Sequence, residues 1–289
     1  MSDPAGVRRA FGRAARRYDA AAVLQREIGS RMLERLDYIR LRPQHILDLG
    51  CGTGIWLGPL GRRYAGARVI GVDLALPMLR LAAARDDLWR RLLSRRSAVL
   101  VCGEAAALPL ADASVDLVWS NLMLQWLPDP RPALAEAWRV LRPGGLIMFS
   151  SFGPDTLTEL RQAFAGGEYA AVNHFTDMHD IGDALVRLRY ADPVMDMERL
   201  ELTYTDLDGL VRDLRDIGAT HLHQGRSRGL GGRRRWAQAR ERYEAFRRAD
   251  GRLPATFETV YGHAWKPAAA ALPEGTAVVS FRRRPAPDA

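Results

Sequence analysis

Acidic and amide side chains stand at four places where an apolar run gives way to small residues. Asp48 closes the run HILD and is followed by the turn Gly50-Cys51-Gly52-Thr53-Gly54. Asp73 ends the run RVIGVD, 19 residues beyond Gly54. Glu104 and Ala105 follow SAVLVCG, and Asn121 follows VDLVWS. Glycines let a backbone reverse sharply and lie close to a ligand. The spacing is GxGxG, whereas a dinucleotide fingerprint is GxGxxG with room for a pyrophosphate at a helix start. A carboxylate at Asp48 repels pyrophosphate and suits a cationic group such as the ammonium of an amino-acid moiety. An acid at the end of a second strand can accept both hydroxyls of a ribose, which is the role expected of Asp73. Glu104, with the backbone N–H of Ala105, can meet an adenine edge, and Asn121 lies under the same crevice.

A nucleoside joined to an amino acid, without phosphates, describes S-adenosylmethionine better than a nicotinamide cofactor. Other chemistry is thin. No Ser-His-Asp or Cys-His arrangement stands out. His174, Asp177, His179 and Asp180 in HFTDMHD are metal-capable types, but two histidines five apart do not share a helix face, so no metal site is expected. His221 and His223 alternate as on a strand and are read as surface or core residues. Cys51 is read as a small residue that the turn accommodates rather than as a reactive thiol.

The elements needed to hold these residues are visible as periodicity. Residues 11–40 carry apolar positions at helical spacing, which predicts one or two amphipathic helices ended before Pro43. Continuous apolar strands over 46–49, 68–75, 97–105, 115–126 (the last part entering a loop) and 146–152 alternate with helices over 55–65, 76–96 and 132–141. That alternation predicts an α/β fold with a doubly wound, mostly parallel sheet buried on both faces. Helices over 155–165, 179–189, 206–217 and 233–249 and strands over 194–204 and 256–265 extend it to seven strands with a helical cap insertion. The expected organisation is an N-terminal helical segment covering the cofactor (1–42), a Rossmann-like core (43–152), a cap with the last strands (153–267) and a tail (268–289) carrying a possible strand at TAVVSFRR.

The chain has 289 residues and a net charge of +8, and of its 42 basic residues only Lys266 is a lysine. With 47% hydrophobic residues, a disordered or collagenous chain is excluded. No spanning apolar run and no secretory h-region are present. Two cysteines cannot build a disulfide framework and point to a reducing cytoplasm. The arginines concentrate on the first helix (Arg8, Arg9, Arg13, Arg16, Arg17) and over Arg226 to Arg248. Such a surplus suits nucleic acid, a membrane surface or an acidic protein.

ILDLGCGTG, VIGVDLALPML, EAAALPLADASVDLVWSN and VLRPGG together resemble the class I S-adenosylmethionine-dependent methyltransferases. FGRAARRYDAAAVLQREIGSRML, SNLMLQWLPDP, SFGPDTLTELRQAF, HFTDMHDIGDAL and LPATFETVYGHAW are similar to the malonyl-[acyl-carrier protein] O-methyltransferases of biotin synthesis, up to about residue 267. The resemblance implies cofactor contacts from Asp48, Gly50, Cys51, Gly52 and Asp73, then Leu74, Met78, Glu104, Ala105 and Asn121. It implies that Tyr18, Gln125 and Trp126 stand where methyl donor meets acceptor, with Arg161 and His174 as further substrate-binding candidates. A carboxylate acceptor is already ionised at neutral pH, so no general base is expected. The implied partner is an acidic acyl carrier protein bearing a malonyl group. HFTDMHDIGDAL and GRSRGLGGRRRW also resemble assembly factors of mitochondrial complex I, which share the fold and are associated with arginine hydroxylation. A nucleic-acid methyltransferase ranks below both, because SNLMLQW replaces the NPPY-type motif that serves base amino groups.

Overall fold

The computed structural model describes residues 4–93, 98–165, 174–219 and 231–268. Two helices come first, α1 (Pro4–Ala21) and α2 (Val23–Arg35). Proline at the first position of α1 gives up no intrahelical hydrogen bond, because that N–H has no helical acceptor. The apolar stripe of α1 buries Ala10, Ala14 and Ala15, while Arg8, Arg9, Arg13, Arg16 and Arg17 face solvent.

The sheet follows as β1 (His45–Leu49), β2 (Arg68–Asp73), β3 (Val99–Cys102), β4 (Val115–Ser120), β5 (Leu141–Phe152), β6 (Ala191–Tyr204) and β7 (Leu253–Trp265). The spatial order is β3-β2-β1-β4-β5-β7-β6. The first five strands pair in parallel, and β7 runs antiparallel between β5 and β6. Between them lie α3 (Leu57–Arg63), α4 (Leu76–Leu93) and α5 (Arg131–Val140), then α6 (Thr158–Ala163), α7 (Met178–Arg187), α8 (Leu207–Asp216) and α9 (Gly231–Glu244). All seven expected strands are present. Several ends shift by a few residues, and two differences are larger: the fourth strand stops at Ser120, with Leu124–Trp126 forming a short 3-10 turn, and Leu141 with the RPGG segment belongs to β5. Leu141 pairs with Val115 and Leu146 with Leu117, and the intervening residues form a bulge that carries Gly144 at φ 80°. His221, His223, part of the basic stretch and the tail strand at 276–283 lie outside the described residues.

Side-chain alternation along the central strands divides the core in two. Ile46, Leu117, Trp119 and Met148 face one way, toward Leu24, Ile28 and Met32 of α2. Leu47, Leu49, Val118, Ile147 and Phe149 face the other way, toward α5 and α7. Each such fully buried side chain contributes about 1.5–3 kcal/mol. That layering fixes the strand ends rigidly, and the strand ends carry the site.

Candidate active site

A cavity of about 320 Å³ opens at the carboxyl ends of β1 to β5, where ligands bind in open parallel sheets. Its floor is the glycine turn. Gly50 and Cys51 both donate to the carbonyl of Val72, and Gly54 donates to that of Cys51. Gly50, Gly52 and Gly54 all have positive φ. A Cβ on Gly50 would lie 2.4 Å from Met123 Cγ, whereas one on Gly52 would meet nothing within 4 Å. Gly52 therefore presents bare backbone to open space.

Asp73 ties this turn to α4. Its Oδ2 accepts from the N–H of Gly52 at 2.9 Å, and its Oδ1 accepts from that of Ala75 at 2.8 Å. Each oxygen keeps a lone pair for a further donor. Burial raises the Asp73 carboxyl, and the two backbone N–H groups oppose that rise. Asp48 lies behind the turn. Its Oδ2 is enclosed with no hydrogen-bond partner among the described residues, and burial followed by repulsion from Asp73 pushes its pKa up to about 8. A buried polar atom without a partner is costly and calls for an explanation.

The other walls are equally braced. Leu74, Met78, Glu104 and Ala105 line the side near β2 and β3. The loop after Glu104 is held by α5: Glu136 accepts from the N–H of Leu108, and Arg139 donates to the carbonyls of Leu108 and Leu110. At the end of β4, Asn121 donates to the carbonyl of Gln25 and accepts from Ser150 Oγ, joining α2, β4 and β5. Leu122 and Leu157 both line the cavity at positive φ, 52° and 56°. Bulky residues in that region are strained. Hydrogen bonds hold both: Leu122 N–H donates to Ser150 and Leu157 N–H donates to the carbonyl of Thr256.

α1 roofs the cavity with Pro4, Val7, Phe11 and Tyr18. Phe11 meets Trp126 edge-on at 4.9 Å between centroids. The Asp19 carboxylate accepts from Thr53 Oγ1 at 2.5 Å and from Arg85, fastening the end of α1 to the glycine turn and α4. Burial, then Asp73 and Asp19, hold the Tyr18 hydroxyl well above the usual tyrosine range, so it stays protonated. The far end is apolar: Phe152 stacks within 5.8 Å of Phe175 and 5.6 Å of Phe257.

The geometry thus gathers Tyr18, Gly50, Gly52, Asp73, Leu74, Met78, Glu104, Ala105, Asn121, Gln125 and Trp126 around one space. Asp48 and Cys51 stand behind its wall; the Cys51 thiol is buried against Gly71, and burial raises its pKa. Arg161 and His174 are not brought to the cavity. Arg161 donates to the carbonyls of Pro154 and Thr156, holding the turn after β5, and His174 is exposed while its neighbour Phe175 lines the wall. Asp177 caps α7, accepting from the N–H and Nδ1 of His179. Gln25 lines the cavity although sequence reading passed over it. The available signal was a polar residue in the stripe Gln25, Ile28, Met32 that α2 buries.

Strand order, glycine turn and strand-end acids define a methyltransferase, and residues 47–149 match a family described as "Methyltransferase domain". A putative methyltransferase from Bacillus halodurans C-125 shares the fold with a TM-score of 0.55 at 16% identity, over 82% of this chain and 99% of that one. The chain belongs to the malonyl-[acyl-carrier protein] O-methyltransferase family. It is 53% identical to the member from Methylovorus sp. (strain MP688), over 98% of this chain and 96% of the relative. It is 52% identical to the member from Gallionella capsiferriformans (strain ES-2), over 96% of each.

Proposed function

We propose that the protein transfers a methyl group from S-adenosylmethionine to the free carboxylate of a malonyl thioester on an acyl carrier protein. The product is the methyl ester, an early intermediate of biotin synthesis. The observation that carries this reading is full-length identity of 52–53% to relatives named for that reaction, joined to a cavity with the matching donors and acceptors. The residues fit the methyl donor. Asp73 retains acceptor capacity for ribose hydroxyls, Glu104 and Ala105 stand where an adenine edge would lie, and Gly52 leaves room for close approach.

When bound, S-adenosylmethionine supplies a methyl carbon activated by a sulfonium. The chain has three tasks around it. It aligns the acceptor through the turn after β4, and positioning of this kind is worth on the order of 7–11 kcal/mol in favourable cases. It excludes water with Phe11, Phe152, Phe175, Phe257 and Leu157. It supplies donors that keep their protons, such as Tyr18. A carboxylate acceptor is already ionised, so the reaction asks no residue of the cavity to remove a proton. Apolar walls also favour a reaction in which a cation and an anion neutralise each other, because neither charge is stabilised by water beforehand.

Delivery of the substrate falls to α1. In the 226–248 stretch, Arg240 pairs with Asp208, Arg247 with Glu244 and Arg248 with Glu201. On α1, Arg8, Arg13 and Arg16 are exposed and form no ion pair among the described residues. This helix is also the roof, so an acidic carrier docked on its outer face sits beside the cavity mouth, steered by charge. No described helix is long and apolar enough to cross a membrane, and Cys51 and Cys102 are unpaired, which supports a reducing cytoplasm.

Incubation with labelled S-adenosylmethionine and three acceptors tests the reading: malonyl-acyl carrier protein, carrier protein without malonyl, and bulk RNA. Label is expected on the first alone. Label on the unloaded carrier or on RNA, or on nothing, overturns it.

A further inference from the structure

Among the described residues that line the cavity, three are acids, Asp73, Glu104 and Asp129, and none is arginine, lysine or histidine. Within this described wall, the groups available to hold an anionic acceptor beside the methyl donor are neutral hydrogen-bond donors. Two glutamines occupy that corner. Gln25, on α2, is 8% exposed, and Gln125, in the short turn Leu124–Trp126 after β4, is 9% exposed. Both line the cavity, and in both Oε1 is enclosed without a partner among the described residues. Their Nε2 atoms donate to nothing among the described residues and, unlike Oε1, are not shut off from the cavity. The reverse amide orientation would bury an NH2 with two unmet donors in place of one unmet acceptor, which is worse. The backbone of Gln25 is fixed as well, because its carbonyl accepts from Asn121 at 2.9 Å. The end of β4 and the start of α2 are thus locked together at one corner.

We propose that Gln25 is a substrate-positioning residue, its amide N–H directed with that of Gln125 at the carboxylate that accepts the methyl group. The inference rests on the reading of the acceptor as a carboxylate. Neutral amides have an advantage over an arginine here. The acceptor loses its charge during transfer, so a salt bridge would stabilise the ground state more than the transition state and slow the step. An amide orients the oxygen without that cost, and it releases a neutral ester readily.

Gln25→Met keeps the volume of the side chain and removes the amide, whereas Gln25→Glu places a like charge against the acceptor. Each is assayed on the malonyl-carrier substrate, with the dissociation constant of S-adenosylhomocysteine and the melting temperature measured alongside. Loss of a hydrogen bond to a charged group predicts kcat/KM lowered about tenfold or more in Gln25→Met, with KM raised, and a larger loss in Gln25→Glu. Affinity for S-adenosylhomocysteine is expected to stay within about threefold in both. Gln25→Asn, a milder variant that keeps a neutral amide, is expected to retain the fold and fall between wild type and Gln25→Met. Unchanged kcat/KM in Gln25→Met overturns the inference. So does weakened S-adenosylhomocysteine binding in Gln25→Met with strengthened binding in Gln25→Glu, which would place Gln25 against the cofactor's ammonium instead. Wild-type protein that methylates no malonyl thioester overturns the functional reading itself, a result distinct from either.

Discussion

Replacing Asp48 with Asn removes a potential charge from behind the glycine turn and leaves the size of the side chain unchanged. The ordinary pKa near 3.8 applies to the unfolded chain, whereas burial, aided by repulsion from Asp73, pushes the folded value up to about 8. A folded pKa raised above the unfolded one contributes stability that is fully present below the unfolded value and is lost as pH rises through the folded value. Between these limits the unfolded chain is ionised and the native carboxyl is protonated, so stability falls by about 1.4 kcal/mol per pH unit. From about pH 5.5 to about pH 7.5 that amounts to roughly 3 kcal/mol. For a chain of 289 residues the unfolding entropy is about 0.6 kcal/mol/K, so the melting temperature drops by about 4–5 °C over the interval. Burial rather than Asp48 raises Asp73 and lowers His263, so their contributions are common to both proteins; Asp48 does help raise the Cys51 thiol, but that group ordinarily ionises near 9.0, above the interval, and stays protonated in both. The difference between the two melting curves therefore isolates Asp48. Scanning calorimetry of the ligand-free proteins at several pH values reads it: the variant should gain on the wild type by several degrees as pH rises. Parallel curves across the interval would refute the assignment of a protonated Asp48.

Three further outcomes follow from the site. Asp73→Ala removes the acceptor for the ribose and the brace on Gly52, so cofactor affinity should fall about 100-fold or more with the far-UV spectrum unchanged; titration within threefold of wild type would contradict the ribose role. Charge reversal at Arg8, Arg13 and Arg16 together should raise KM for the malonyl-carrier substrate several-fold while leaving malonyl-CoA untouched, and salt near about 0.5 M should act likewise. Equal effects on both substrates would count against docking on α1. Asp19→Ala frees the end of α1 from Thr53 and Arg85, so trypsin should cleave among the α1 arginines faster than in wild type; an unchanged cleavage rate would show that the helix is held by Phe11 and Trp126 without the carboxylate.

The parts of this site that sequence revealed are those with short-range signatures. ILDLGCGTG and RVIGVD announce a strand, a glycine turn and a strand-end acid within a few residues, because glycine and aspartate are there for backbone reasons that leave a local mark. Continuous apolar runs showed the parallel sheet for the same reason. Long-range partnerships leave no such mark. Arg161 was a fair candidate for an anion, yet its guanidinium serves two carbonyls five and seven residues away in a turn whose shape only the fold sets. Gln25 is close to a full helical period from Ile28 and so reads as an interrupted core stripe, and only the packing of α2 beside β4 shows that its amide meets the cavity. The basic stretch after residue 226 outranked α1 by arginine density, but its acids lie elsewhere in the chain: Asp208 on α8 and Glu201 on β6 supply two of the three ion pairs.

Intact-mass and fragment analysis of malonyl-acyl carrier protein after incubation with the protein and S-adenosylmethionine tests the central claim most directly. The account predicts a gain of one methylene's mass on the malonyl group at the end of the phosphopantetheine arm, removed by mild alkali as methanol. A modification on an arginine or another protein side chain, or a malonyl group of unchanged mass under conditions where the cofactor binds, would contradict it.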